Sequence, residues 1–152
     1  MQPVPFSREV ADITQYVFDK LGMPLPNAVN INLYSDGLQT VGWHSDNEPL
    51  FKSADVRIYS LSLGAAREFQ LCRKDVLRPQ GKFRRPNVAN IDPKNLHTII
   101  LEDGDLLGMA GRTQEFYDHQ IKTASQDTGP RINLTWRYVT AHQSGCVPCR
   151  AD

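Results

Sequence analysis

At 152 residues, with 17 basic and 17 acidic side chains, the chain is long enough for one domain with its own core and has no net field to draw in a polyanion from a distance. Three cysteines, Cys72, Cys146 and Cys149, are odd in number and do not read as a secreted disulfide framework, and no apolar run reaches membrane-spanning length. Without a charged-then-apolar leader at its start, the sequence predicts a soluble, monomeric intracellular protein of the cytoplasm or nucleus, with no membrane contact.

In chain order, Val10, Ile13, Val17 and Leu21 recur at helical spacing, with Ser7 placed to cap the start and Gly22 to end the run, so residues 7–21 are expected to form one amphipathic helix. Pro24 and Pro26 forbid its continuation. Short segments of alternating polarity follow and predict strands over 28–34, 39–44, 57–63, 68–73, 98–101, 106–110, 117–122 and 132–139. The stretch 74–95 has no clear period and contains three prolines, and it is read as a long loop of the functional or mobile kind. Eight strands and one good helix point to a mainly β fold with one or two flanking helices, arranged as a double-sheet jelly roll or a barrel.

In Trp43-His44-Ser45-Asp46, an imidazole and a carboxylate two residues apart project from the same face of an extended strand. Two imidazoles and one carboxylate on one face of an octahedron leave three adjacent positions open, which suits a non-haem iron(II) oxygenase. For the tripeptide alone, a solvated pair on an exposed turn is the commoner arrangement. The third ligand has to come from a distant strand, and His119 is better placed than His97, which opens another strand, or His142, in the unpatterned tail.

Near the end, Arg131, Asn133, Thr135 and Arg137 alternate with Ile132, Leu134, Trp136 and Tyr138, giving one polar and one apolar face. An amphipathic strand with its arginines in water satisfies that pattern too. A dicarboxylate cosubstrate, however, needs a guanidinium fork at its far end, and either Arg131 or Arg137 would serve. The strand at 30–34 repeats the design, placing Asn32 and Tyr34 on one face.

These residues carry a resemblance. The ordered set Asn32-x-Tyr34, Asp36-Gly37, His44-Ser45-Asp46-Asn47-Glu48, Ser60-Leu61-Ser62-Leu63-Gly64, Arg67-x-Phe69, Gly104-Asp105-Leu106-Leu107, Gln114, His119 and Pro130-Arg131-Ile132-Asn133-Leu134-Thr135-Trp136-Arg137 resembles the AlkB family of dealkylating dioxygenases. The resemblance implies a double-stranded β-helix (jelly-roll) core over residues 27–140, with 1–26 as a helix and linker packed on it and 141–152 as a flexible tail. It implies Fe(II) at His44, Asp46 and His119, and 2-oxoglutarate as cosubstrate held by Asn32, Tyr34, Arg131, Asn133 and Arg137. Arg131 would take the distal carboxylate, with Arg137 near the metal-bound one. Glu48, with Trp43 and Arg67, is expected on the substrate side, and the implied partner is DNA or RNA carrying alkylated bases.

From Arg67 to Arg85, seven basic residues stand against two acidic ones, an excess of five positive charges that would bind phosphates in a salt-dependent way or serve as a solvated loop. Trp43, Phe51, Phe83 or Tyr117 would supply stacking on a base. Family members carry an N-terminal lid that is not evident before the strand at 30–34, which leaves room for a protein or small-molecule substrate, or for a non-catalytic jelly-roll binding module. Cys146-x-x-Cys149 reads as an idle tail or as half of a zinc site with a partner such as His142.

Overall fold

The structure, a computed structural model, describes residues 4–47, 57–79, 88 and 91–139. Its first element, α1 (Arg8–Leu21), begins where the Ser7 hydroxyl accepts a hydrogen bond from the Val10 amide. It ends at Gly22, which adopts the left-handed conformation (φ 62°) that a residue with a Cβ enters only at a cost. Eight strands follow: β1 (Ala28–Tyr34), β2 (Val41–His44), β3 (Ile58–Gly64), β4 (Arg67–Arg73), β5 (Leu96–Leu101), β6 (Leu106–Met109), β7 (Tyr117–Ile121) and β8 (Arg131–Arg137). They form two antiparallel four-stranded sheets, ordered β1-β8-β3-β6 and β2-β7-β4-β5. This is the expected jelly roll, and all eight predicted strands are present with ends shifted by at most two residues. Among the described residues no helix is long and apolar enough to cross a membrane.

Part of the stretch read as a loop is helical. Lys74–Leu77 forms α2, and a 3-10 turn covers Pro93–Asn95. A further turn of helix, α3 (Thr113–Phe116), precedes β7. Single turns of four residues contain no second turn from which a helical period can be read, so such elements escape a pattern search.

Two apolar clusters fix the layers. Between the sheets lie Tyr34, Ile58, Phe69, Leu101, Met109 and Ile121. Outside the first sheet, α1 packs Val17 and Phe18 against Leu61, Leu134 and Trp136. The buried stripe of α1 therefore includes Phe18 and Thr14, while Leu21 is more than one-third exposed. Thr14 is buried because its hydroxyl accepts the Trp136 indole N–H at 2.9 Å and donates to the Val10 carbonyl at 2.6 Å, a chain no apolar residue there could supply. Phe18 meets Tyr59 and Trp136 edge-on, with ring centroids 5.4 and 5.5 Å away. Phe18→Ala is therefore expected to destabilise the protein by about 3–5 kcal/mol in urea unfolding; a loss below about 1 kcal/mol would contradict this docking of α1.

The inner faces carry the polar rows. In the register of β1 with β8, Tyr34 stands opposite Arg131, Asn32 opposite Asn133 and Ala28 opposite Arg137. Arg131, Asn133, Thr135 and Arg137 share one face of β8, directed between the sheets, and Leu134 and Trp136 share the face under α1.

Candidate metal centre

His44 and His119 belong to neighbouring strands. The pairing of β2 with β7 starts with Val41 opposite Ile121, and regular continuation would put residue 44 opposite residue 118. A bulge between Val41 and His44 slides the register by one, so His44 faces His119 with ring centroids 4.3 Å apart. A one-residue slip moves a side chain to the other face of the sheet, and here the bulge aims His44 at its partner. β2 ends at His44, so the expectation that His44 and Asp46 share one strand face is not met: Asp46 lies beyond the strand, in the stretch 45–47. It reaches the site because the Gln114 side-chain carbonyl accepts its amide N–H at 2.9 Å and Arg137 donates to Oδ1 at 2.7 Å. One ligand atom from each of His44, Asp46 and His119 then lies within 4.8 Å of the others.

The electrostatics suit a divalent cation. His44 donates from Nδ1 to the Gly42 carbonyl at 2.7 Å, leaving Nε2 with a free lone pair. His119 is buried, stacked 5.3 Å from Phe69, and its Nδ1 has no hydrogen-bond partner among the described residues. Burial above all, then the neighbouring His44, lowers its pKa from 6.5 to about 4. At neutral pH its lone pair is free of a proton that a metal would have to displace. The sign for stability follows directly. Unfolded His119 takes up its proton near pH 6.5 and folded His119 only near 4, so the metal-free protein loses stability as pH falls through that window and changes little above it. At about 1.4 kcal/mol per unit, the loss attributable to His119 is roughly 3 kcal/mol. Urea unfolding of chelator-treated wild type and His119→Gln at pH 7 and 4.5 isolates that share; parallel acid sensitivity of the two proteins would refute it.

Arg131 is 1 % exposed; its Nη2 donates to the Ser62 hydroxyl at 2.9 Å, and the Tyr34 hydroxyl is a second neighbour of its guanidinium. Its Nε and Nη1 are buried without a hydrogen-bond partner among the described residues, and its guanidinium sits 5.2 Å from the centre of the Tyr34 ring. Burial draws its pKa below the usual arginine value, and the Arg67 cation adds to that. A buried guanidinium with two unused donor positions fits an incoming carboxylate. The Tyr34 phenol has its pKa raised, chiefly by burial, and remains a neutral donor.

The other expected site residues fall out differently. Asn133 donates both amide hydrogens, to the Ser60 hydroxyl (2.7 Å) and the Leu61 carbonyl (2.9 Å), and accepts from Thr135. It acts as a strut between β8 and β3 with no donor left for a cosubstrate. Asn32 is exposed on β1. Arg137 is at Asp46, on the metal side of the row.

Arg67, expected near the substrate, is 2 % exposed, and its guanidinium donates to the carbonyls of Asp36, Gly37, Gln39 and Lys122. It ties the turn after β1 to the end of β7. Gly37 is required in that turn, because a Cβ there would collide with the Ser125 carbonyl.

The basic run is largely spent within the chain. Arg73 pairs with Asp75, Lys74 donates to the Gln114 carbonyl, and Arg78 bridges Asp118 and the Trp43 carbonyl. Lys82, Arg84 and Arg85 lie outside the described residues, as do Glu48, Phe51, Phe83, Cys146 and Cys149. Trp43 is half-buried and lines a cavity of about 520 Å³ with His44, Ser45, Asn47, Lys74 and Arg78. Ser60, Ser62 and Gln114 belong to the motif set that carries the resemblance, but no site role was expected of them. The serines' signal was their alternation on a strand that pairs with Arg131-x-Asn133.

Comparison with known proteins agrees with this geometry. The family described as the 2OG-Fe(II) oxygenase superfamily matches residues 3–137. The alpha-ketoglutarate-dependent dioxygenase alkB homolog 3 of Mus musculus is 35% identical over 113 residues, covering 74% of this chain and 36% of that protein. The DNA oxidative demethylase ALKBH2 of Arabidopsis thaliana is 28% identical over 148 residues, covering 91% of this chain and 47% of its own length. The chain thus spans less than half of either relative. The solved structure of OsALKBH1 shares the fold with a TM-score of 0.52 at 22% identity, over 89% of this chain and 64% of that one. By family match and relatives alike, the chain belongs to the 2OG-Fe(II) oxygenase superfamily, in its AlkB-like branch.

Proposed function

We propose that the protein is an Fe(II)- and 2-oxoglutarate-dependent dioxygenase that removes N-alkyl groups, methyl above all, from bases of DNA or RNA such as 1-methyladenine and 3-methylcytosine. The observation that carries the reading is the pairing of two features in one interior: a His44, Asp46 and His119 cluster and, six residues along β8 from Arg137, a buried Arg131 with unused donors. The cluster would hold the metal and Arg131 the far carboxylate of the cosubstrate. Once bound, iron and 2-oxoglutarate would activate dioxygen, so that one oxygen atom hydroxylates an N-methyl carbon and the other enters succinate as carbon dioxide leaves; the hydroxymethyl group would then depart as formaldehyde and restore the base.

The chain's own residues position and insulate. Arg137 fixes the Asp46 rotamer by holding Oδ1, which turns Oδ2 toward His119 at 3.9 Å. The neutral His119 keeps its lone pair ready. Phe69 and the apolar cluster between the sheets keep water from the inner side of the ligands. A base in a duplex has to be extruded, or met in single-stranded form, to reach this interior. The nucleic-acid substrate is supported by the relatives, whose names include DNA oxidative demethylases.

The test is incubation with iron(II), ascorbate, 2-oxoglutarate and an oligonucleotide carrying 1-methyladenine or 3-methylcytosine, followed by mass measurement. Loss of one methyl group with stoichiometric succinate is expected. Succinate without demethylation would overturn the substrate, and absence of both at every salt concentration would overturn the activity.

A further inference from the structure

The geometry points to Gln114 as a positioning residue that holds the metal-binding carboxylate of Asp46 in place through the Asp46 backbone. This rests on the metal-binding reading of the cluster and adds to it a residue outside the three ligands. Asp46 follows the end of β2 and lies in no strand, so no sheet ladder sets the position of its Cα. Two side chains from elsewhere do so: Arg137 on the carboxylate, and Gln114, whose Oε1 accepts the Asp46 N–H at 2.9 Å. The first chooses the rotamer; the second sets where the rotamer starts.

Gln114 is built to be rigid. It is 3 % exposed, on the single turn α3. Its amide has one sensible orientation, because Nε2 points at the Met109 sulfur at 3.4 Å while Oε1 meets an N–H. Its own carbonyl accepts from Lys74 Nζ at 2.7 Å, which ties α3 to α2. α2 and the residue just after it also brace the two histidines, since Arg78 holds the carbonyl of Trp43, next to His44, and the carboxylate of Asp118, next to His119. A buried primary amide costs desolvation unless its polar atoms are matched, and among the described residues the Asp46 N–H is the partner of the Gln114 oxygen.

The experiment is calorimetric titration of the full, chelator-treated chain with Mn(II), alongside its melting temperature without metal. Gln114→Leu keeps the shape and removes the acceptor, and it is expected to weaken Mn(II) binding roughly 10- to 100-fold, the range for loss of a support behind a ligand. Its metal-free melting temperature should fall by only a few degrees. Gln114→Glu keeps the acceptor and is expected to match the wild-type affinity, a rescue that a purely packing role would not give. If Gln114→Leu does not fold, Met109→Leu carries the test, because it removes the sulfur that orients the amide while preserving volume; an expected loss of about threefold distinguishes it from wild type. Equal affinity of wild type and the folded variant, with binding abolished in His44→Ala, overturns the role of Gln114 alone. No Mn(II) binding by wild type overturns the metal reading together with it.

Discussion

His44→Ala is expected to lower 2-oxoglutarate turnover by roughly three orders of magnitude or more while leaving the fold intact. The size follows from the number of ligands: with two imidazoles and one carboxylate from the protein, loss of one removes a third of the donors that the protein itself supplies. The fold should survive because His44 is half-buried at a strand end and outside both apolar clusters. A second readout belongs to the same variant. His44 is the second-largest cause of the low His119 pKa, so His44→Ala should also weaken the acid sensitivity of the metal-free protein. Succinate release, metal affinity and urea unfolding at two pH values together check the account. A variant that keeps turnover above about one-tenth of wild type would remove His44 from the ligand set.

The metal ligands were legible in the sequence for a reason that proved only half right. The His44-Ser45-Asp46 spacing picked out both residues, but by assuming one regular strand. In the fold, a bulge delivers His44 and two distant side chains deliver Asp46. Local periodicity states which face a residue takes within its own element and cannot state what stands opposite. That is why β1 was bounded at Ala28–Tyr34 and α1 was capped at Ser7 and Gly22 from residue types alone. It is also why Arg67 was assigned to the substrate side: only the non-local approach of Asp36, Gly37, Gln39 and Lys122 turns its guanidinium into a staple. Asn133 followed the same course. Its strand face was read correctly, but its donors go to Ser60 and Leu61 on β3, 73 and 72 positions away in sequence.

The basic run illustrates a further limit of composition. An excess of five charges between 67 and 85 suggests a phosphate grip, yet charge counts ignore partners. In the fold, Asp75, Asp118 and backbone carbonyls of Gln114 and Trp43 engage Arg73, Lys74 and Arg78. The Lys74 and Arg78 contacts put part of the run to use inside the protein, and Arg78 braces the strands that carry His44 and His119.

Arg131→Met should separate stability from cosubstrate binding. The 2-oxoglutarate KM is expected to rise by roughly a hundredfold or more, because removing one partner of a buried, hydrogen-bonded charge pair costs about 2–5 kcal/mol. In the metal-free protein without cosubstrate, however, the same cation is a burden: it is buried, it lies near the Arg67 cation, and two of its nitrogens have no acceptor. Replacing such a group with an apolar side chain of similar length is close to neutral or favourable, so urea unfolding of that form should change by no more than about 1 kcal/mol, with loss of the Ser62 hydrogen bond offsetting relief of the unsatisfied donors. Arg131→Lys keeps the charge but not the planar fork, and its KM should fall between the two. Unchanged 2-oxoglutarate affinity in Arg131→Met would remove the distal carboxylate from this end of β8. A parallel collapse of stability would instead make Arg131 a structural residue like Arg67.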